Sequence, residues 1–371
     1  MKEYQICSRC IMDNSTDDTI SFDSNGYCNY CSDALKRMPN YYFPQNKEKI
    51  EQFITWLKDQ GKNKPYDCLM GISGGLDSSY LAYLGAAKWG LRILAIHIDD
   101  GFNTPLAEKN IHDLCSKASI ELKVIKLNQE QFCDLTRSFI LAGVPNIAIP
   151  QDNIMTAVLY QQAAENKINY FLSGANFALE SILQRGNTHN ATDTVHIRAI
   201  HKRFGRESIK DLPLIGIWNK YLLQKYLHGI NTFRPLNYVN YNLKSALQEL
   251  HDFSGYTYYE AKHCESLFTK FMQWYYLPEK FGVDKRKSHF SSLIVTDQMS
   301  REEALQLLQK KMYSDEMRQK DLKLIAEKLS FQFDELCDIL KMSPHAHTEY
   351  PCSSLINFAG IARKFRRILG E

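Results

Sequence analysis

The stretch "MGISGGLDSSYL", residues 70–81, decides how this chain is read. Residues 66–72 are short, apolar and bounded by Pro65 and Gly74, the pattern of a buried strand. Behind the glycines, residues 79–89 place Leu81, Ala82, Leu84 and Ala86 at helical spacing. A strand that enters a helix through glycines and serines leaves main-chain amides facing outward. Such a turn suits an anion, with phosphate the first candidate. The run lacks the Lys-Ser/Thr ending of a Walker loop, and a bare turn is the plainer reading of two glycines.

Working outward, the alternation continues. Strands are predicted at 91–98, 120–126 and 168–173, and helices at 106–118, 129–141 and 153–166. Apolar strands alternating with helices predict an α/β fold, a parallel sheet with helices on both faces. Ligands of such sheets sit beyond the carboxyl ends of the strands. Three stretches fall there together: "SGGLDSS" at 73–79, "HIDDGFN" at 97–103 and "SGANFALES" at 173–181.

At the front, "CSRC" (7–10) and "CNYC" (28–31) form paired C-x2-C turns with seventeen residues between them. One tight turn presents two sulfurs to one ion, and two turns close a tetrahedron. Cys7, Cys10, Cys28 and Cys31 therefore read as a structural zinc site, with two disulfides or a redox pair as the competing readings. The other six cysteines are scattered singly in a chain of 371 residues, which suits a reducing compartment.

The boundaries read as a zinc knuckle at 1–40, the sheet domain at 41–184, a substrate insertion or lid with its connection at 185–242, and a helical region at 243–371. A polar connector at 32–64 carries an amphipathic helix near residues 49–58. "RGNTHNATDTVHIRAIHKRFG" (185–205) is polar and irregular, and its His196, Arg198, His201 and Arg203 suit a substrate-ordered lid. "SREE" at 300–303 reads as a capping box. "IARKFRRILG" (361–370) reads as a basic amphipathic helix, either a solvated surface or a docking face.

Composition adds limits. With 45 basic and 42 acidic residues the net charge is only +3, so there is no broad footprint for nucleic acid. No apolar run approaches the roughly 20 residues that span a bilayer, and "MKEYQICSRC" has no signal-peptide core. A cytoplasmic protein without a membrane span is expected.

The loop resembles the S-G-G-x-D-S pyrophosphate loop of the N-type ATP pyrophosphatases, matched here at Ser73, Gly74, Gly75, Asp77 and Ser78. That resemblance implies ATP cut between its α and β phosphates and AMP transferred to an oxygen of the substrate. Ser79, Ser173 and Gly174 then join the nucleotide site, adenine lies near Ile98 and Asp99, and Mg2+ bridges Asp77 to phosphate. Over residues 7–305, "SGANFALES", "RPLNYVNYNLKSA" and "KHCESLFTKFMQWYYLPEKFGVDKRKSHFSSLIVTDQMSREEAL" look like the N-acetyl sugar amidotransferases of surface-polysaccharide (lipopolysaccharide) synthesis. This implies conversion of an acetamido group on a nucleotide-linked sugar, typically UDP-linked, to an acetamidino group.

Ammonia is implied to come from a partner glutaminase with a cyclase-like channel subunit, similar to the histidine-biosynthesis pair. The chain itself shows no G-x-C-x-G elbow, and residue 2 is Lys, so no glutaminase nucleophile of its own is expected. "DKRKSHF" supplies Lys285 and Arg286 as catalytic or phosphate-binding candidates and His289 as a substrate candidate, beside Asn176, Lys262, His263 and Glu265. A solvated charged helix face is the bland alternative for that run. The competing enzyme class is a tRNA-modifying thiolase, which needs reactive cysteines near the same loop.

Overall fold

The structure is a computed structural model that describes residues 3–220, 229–259 and 264–355. Strand β1 (Cys68–Gly71) is apolar on both sides because both sides are covered. Cys68 and Met70 enter one core and Leu69 the other. β2 (Ile93–Asp99) repeats the alternation, Ile93 and Ala95 against Leu94 and Ile96. With β3 (Glu121–Lys126), β4 (Tyr170–Leu172) and β5 (Asn231–Phe233) they form a parallel sheet ordered β3-β2-β1-β4-β5. The register runs Cys68↔Ile93 to Gly71↔Ile96 on one side of β1, and Leu69↔Phe171 on the other. The chain builds β2 and β3 on one side of β1 and returns for β4 on the other. The crevice beyond β1 and β4 is therefore the point where the winding reverses, the usual ligand position in open parallel sheets.

One face is covered by α2 (Lys47–Gly61), α3 (Leu76–Tyr83), α4 (Pro105–Lys117) and α9 (Leu243–Ser254), through residues such as Leu57, Leu81, Ile111 and Leu250. The other takes α5 (Gln129–Ala142), α6 (Ile149–Glu165), α8 (Thr194–Phe204), α10 (Leu267–Lys270), α11 (Leu277–Phe281), α14 (Asp315–Lys328) and α15 (Phe333–Lys341). α9, α10, α11, α14 and α15, from the chain after residue 242, thus share the cores under the sheet. A third, smaller core joins the four front cysteines and α1 (Asn29–Tyr41) to Phe177 of α7 (Phe177–Glu180) and Val295 of α12 (Arg286–Val295).

Several elements depart from the sequence expectation. α3 starts at Leu76 and passes at Leu84 into a π turn ending at Lys88. α6 starts at Ile149, four residues earlier than its pattern. β5 was not expected; it is three residues long and largely exposed, so it carries no apolar signature. β3 is not apolar throughout. As an edge strand it exposes Glu121, Lys123 and Lys126, charges that discourage edge pairing. The 185–205 stretch is not an open lid: α8 buries Ile197, Ile200 and His196, and His201 Nε2 bonds Asp134 Oδ2 of α5 at 3.1 Å. An apolar pair at i and i+3 suffices to seat a helix that is otherwise rich in His and Arg.

Ser300 caps α13 (Arg301–Gln309) by accepting from the Glu303 amide at 3.0 Å. The basic 361–370 stretch lies outside the described residues. Among the described residues no helix is long and apolar enough to cross a membrane.

α12 ties the front knuckle to the sheet. Its buried Ser291 hydroxyl accepts from the Ile11 amide at 3.2 Å, and Ser292 accepts from the Ile182 amide at 3.0 Å. Lys287 Nζ pairs with buried Asp13 at 2.5 Å. Burial raises the Asp13 carboxyl, but the bonds from Lys287 and Ser15 outweigh it and hold the group below its ordinary range. A carboxylate held low in the folded state adds stability above its unfolded pKa of about 3.9 and loses it as pH falls through the lower folded value. Asp13→Asn is expected to cost about 1.5–3 kcal/mol at pH 7, the usual worth of hydrogen bonds to a charged group. The gap to wild type in urea unfolding should narrow below about pH 4. A gap that does not change with pH would refute the charged pairing.

Candidate active site and metal centre

Beyond β1 the chain turns at Gly74, whose φ of +80° suits glycine. A Cβ there would lie 2.9 Å from the Ala107 carbonyl oxygen, so α4 also demands a bare backbone. The Gly74 carbonyl accepts from two hydroxyls, Tyr256 at 2.9 Å and Tyr259 at 3.1 Å. Ser73 Oγ accepts from the Gly75 amide at 3.2 Å, and Ser78 Oγ donates to the Gly75 carbonyl at 3.1 Å. Helix α3 follows at once, and its first-turn amides have no helical carbonyl of their own to bond. From β4, Gly174 presses against this turn so closely that a Cβ would meet the Asp77 and Ser78 backbone at 3.1 Å.

Asp77 sits in the first turn of α3, where negative charge is favoured. Its Oδ1 accepts from the Tyr241 hydroxyl at 2.5 Å and from Asn176 Nδ2 at 3.3 Å. Burial first, then the Asp77 charge, pushes the Tyr241 phenol far above its ordinary value, so it remains a donor. Asn176 also caps α7, its Oδ1 accepting from the Leu179 amide at 3.0 Å. The cap of α7 and the loop before α9 therefore aim one carboxylate. An oriented carboxylate at the mouth of an anion turn suits a hard divalent cation such as Mg2+, which binds through oxygen.

These groups open onto a cavity of about 780 Å3. Ser73, Gly75, Asp77, Ser78, Ile98, Ser173, Gly174, Glu265, Lys285 and His289 line it. Segments more than 200 residues apart in sequence meet there. Burial lowers the Lys285 amine from its ordinary value, with Asp17 opposing.

Other candidates lie elsewhere. Ser79 is fully buried, its hydroxyl has no partner among the described residues, and its amide bonds the Gly75 carbonyl at 3.0 Å inside α3. It does not line the cavity, because the helix turns it toward the core. Arg286 does not line it either: its guanidinium pairs with Asp284 at 2.6 Å and donates to the carbonyls of Leu307, Leu308 and Lys310. It closes the carboxyl end of α13 and is structural. Asp99 Oδ1 accepts from the Gly101 amide at 3.1 Å, while its neighbour Asp100 lines the cavity. Asn176 stands behind Asp77 and positions it. Lys262 and His263 lie outside the described residues.

Sequence reasoning missed the roles of Tyr241, Tyr256 and Tyr259, and Asp152 at the start of α6. Asp152 lines the cavity, and burial pushes its carboxyl up to about 6 against the pull of Lys220. His97 was also passed over. Its Nδ1 meets the Ile72 carbonyl at 2.9 Å and its Nε2 meets Asn103 Nδ2 at 3.0 Å, partners that place the proton on Nδ1.

The four front cysteines are buried, and their sulfurs lie within 4.8 Å of one another. Cys7–Cys31 and Cys10–Cys28 separations are 3.7 and 3.6 Å. A tetrahedral ion with sulfur arms of about 2.3 Å would set them at roughly 3.8 Å. Amides of Arg9, Cys10 and Cys28 point at Cys7 Sγ at 3.2–3.4 Å and can stabilise a thiolate. The donor set therefore fits a closed, structural metal. Arg301 fastens the first turn to α13 through the Cys7 and Cys10 carbonyls at 3.1 and 3.0 Å.

The frame is that of a doubly wound parallel sheet with a tight glycine turn into a helix at its switch point. Residues 265–363 match the family model described as LPS biosynthesis protein WbpG-like, C-terminal domain. An uncharacterized protein of Methanocaldococcus jannaschii is 28% identical over 137 residues, 37% of this chain and 47% of that protein, so the chain spans about half of that relative's length. Among solved structures, the chain is similar to NMN synthetase from Francisella tularensis (19% identity, 62% of this chain and 92% of that chain, TM-score 0.29). It is also similar to NH3-dependent NAD synthetase from Campylobacter jejuni (17%, 58% and 99%, TM-score 0.28). A third is the U34-tRNA thiolase from Methanococcus maripaludis with its 4Fe–4S cluster (16%, 91% and 97%, TM-score 0.34).

Two substitutions probe these sites. Cys28→Ser should remove one equivalent of bound metal and lower the melting temperature more than it lowers turnover by the folded fraction, because a site with four protein ligands has no open position for catalysis. Unchanged metal content would rule out the cysteine site. Tyr241→Phe should leave the fold intact and raise the Mg2+ concentration needed for half-maximal ATP turnover several-fold. An unchanged Mg2+ dependence would show that Tyr241 does not position Asp77.

Proposed function

We propose that this chain is an ATP-dependent, AMP-forming amidotransferase that converts an acetamido group of a nucleotide-linked sugar to an acetamidino group in lipopolysaccharide synthesis. The observation that carries the reading is the shared cavity: the SGGLDS turn and its aimed carboxylate face Glu265, Lys285 and His289 of the WbpG-like region. Pyrophosphate oxygens sit on the amides and hydroxyls of residues 73–78, as an anion does at a helix start. Bound Mg2+, held by Asp77, would supply charge against the developing negative charge on phosphorus. Lys285 lines the same cavity and faces the phosphate.

The acetamido oxygen attacks the α-phosphorus, and the bond from that phosphorus to the pyrophosphate oxygen breaks. Pyrophosphate leaves with the electron pair, giving an O-adenylated imidate. Ammonia forms a bond to the imidate carbon, and the C–O bond breaks to release AMP carrying the former amide oxygen. Loss of a proton from nitrogen leaves the amidine. A partner glutaminase and a cyclase-like channel subunit deliver the ammonia. A structural zinc ion in the knuckle and a cytoplasmic setting complete the reading. Burial supports it over sulfur transfer: Cys68 lies inside β1, and burial pushes the Cys115 thiol up to about 12, so neither is a ready nucleophile.

Two experiments test it. With oxygen-18 in the acetamido carbonyl of a UDP-linked acetamido sugar, the label is expected in AMP when ammonium and Mg-ATP are supplied. Unlabelled AMP would overturn the mechanism, and labelled tRNA turned over instead would favour a thiolase. Asp77→Asn keeps the loop's shape and removes its charge, so turnover should fall on the order of 10²-fold or more with the melting curve unchanged.

A further inference from the structure

A second set of metal-ligating side chains lies where α8 meets the segment after α15. His189 precedes α8, His196 lies in its first turn, and Cys352 comes from the other segment. Their ligand atoms lie within 4.8 Å of one another. His196 is fully buried, His189 is half-buried and Cys352 reaches the surface. His196 Nδ1 and Cys352 Sγ are 3.6 Å apart. A tetrahedral ion with arms of about 2.1 Å to nitrogen and 2.3 Å to sulfur sets that edge at roughly 3.6 Å.

The surrounding bonds resemble a metal site's outer shell. His189 Nε2 donates to Asp193 Oδ2 at 2.9 Å, which fixes the ring and leaves Nδ1 as its lone-pair nitrogen. Asp193 is fixed in turn by the His196 amide at 3.1 Å and the Ser353 amide at 3.0 Å. A carboxylate on the far nitrogen of a ligating histidine is the common arrangement for orienting the ring. His196 Nε2 shares a 3.0 Å hydrogen bond with His347 Nδ1, and the Asn146 amide reaches His347 Nε2 at a long 3.3 Å.

We propose that His189, His196 and Cys352 form a second transition-metal site, suited to zinc, that pins the segment after α15 to the start of α8. Imidazole nitrogen with thiolate sulfur selects a zinc-class ion over magnesium or calcium. Binding releases one proton, from the Cys352 thiol. The His196 proton, directed at the Pro351 carbonyl (3.4 Å) and Cys352 without an ion, is then carried on Nε2 and donated to His347 Nδ1. His347 carries its own proton on Nε2, giving up the long bond from Asn146. Three protein ligands leave a fourth position for water or another small donor. Asn146, Asn187 and Thr188 line the large cavity, so the ion stands directly behind one of its walls.

Zinc bound by the full chain after incubation with Zn2+ and gel filtration, measured by plasma mass spectrometry, tests the site. The wild type should hold two equivalents, and Cys352→Ser and His189→Ala should each hold one. Cobalt-substituted wild type minus cobalt-substituted Cys352→Ser should leave a near-ultraviolet band from one thiolate–cobalt bond. Cys352 lies at the surface, so its variant should fold even if His189→Ala does not, and circular dichroism checks this. One equivalent in the wild type, or two remaining in Cys352→Ser, would overturn the proposal.

Discussion

The bare backbone at Gly74 is the constraint on which the rest of the site depends. The chain must leave a buried parallel strand, reverse and begin a helix within a few residues, and the Ala107 carbonyl leaves no room for a Cβ. Left-handed geometry there turns the Gly74 carbonyl inward, where Tyr256 and Tyr259 hold it. Without those hydroxyls the buried carbonyl would lose both of its partners. Gly174 completes the fit by bringing the end of β4 against the same turn. The switch point of the sheet thereby becomes a cradle with fixed walls.

A second constraint acts through α12. Its buried serines 288, 291 and 292 let it pack closely against neighbours while their hydroxyls serve buried backbone groups. One helix thus contacts the cysteine knuckle, α7 and the cavity. Lys285 at its start lines the cavity, Arg286 secures α13, and Lys287 reaches the knuckle. Three consecutive basic residues point three ways because successive helical positions are about 100° apart. That is why a single role for the whole run was never available to it.

Local patterning made much of this legible. The strand–turn–helix at 66–89, the alternation of strands and helices, and the paired C-x2-C turns each depend on residues close in sequence. The SGGLDS run located residues that line the cavity for the same reason. What escaped was contributed from afar: Tyr241, Tyr256 and Tyr259 come from residues more than 160 positions beyond the loop they brace. Their aromatic character signals burial, and nothing in their spacing says that their hydroxyls face a carboxylate and a carbonyl. Ser79 was misplaced by one helical step, and Asp99 was favoured over Asp100 because a strand end does not announce which of two adjacent acids turns inward. The 185–205 stretch looked solvated because its two seating isoleucines are outnumbered by polar neighbours whose partners are distant.

The fold class, the strand–turn–helix at 66–89 and the four-cysteine knuckle were readable from the chain alone, since hydrophobic period, glycine placement and cysteine spacing are short-range properties. Tertiary structure alone decided which charges face the cavity, which brace it, and which close a helix end. Those roles depend on where a side chain points relative to elements far away in sequence. Burial also decides what each group can do chemically, shifting the carboxyl of Asp152 upward and the imidazoles of His196 and His347 downward. No residue type carries that information until the chain has packed around it.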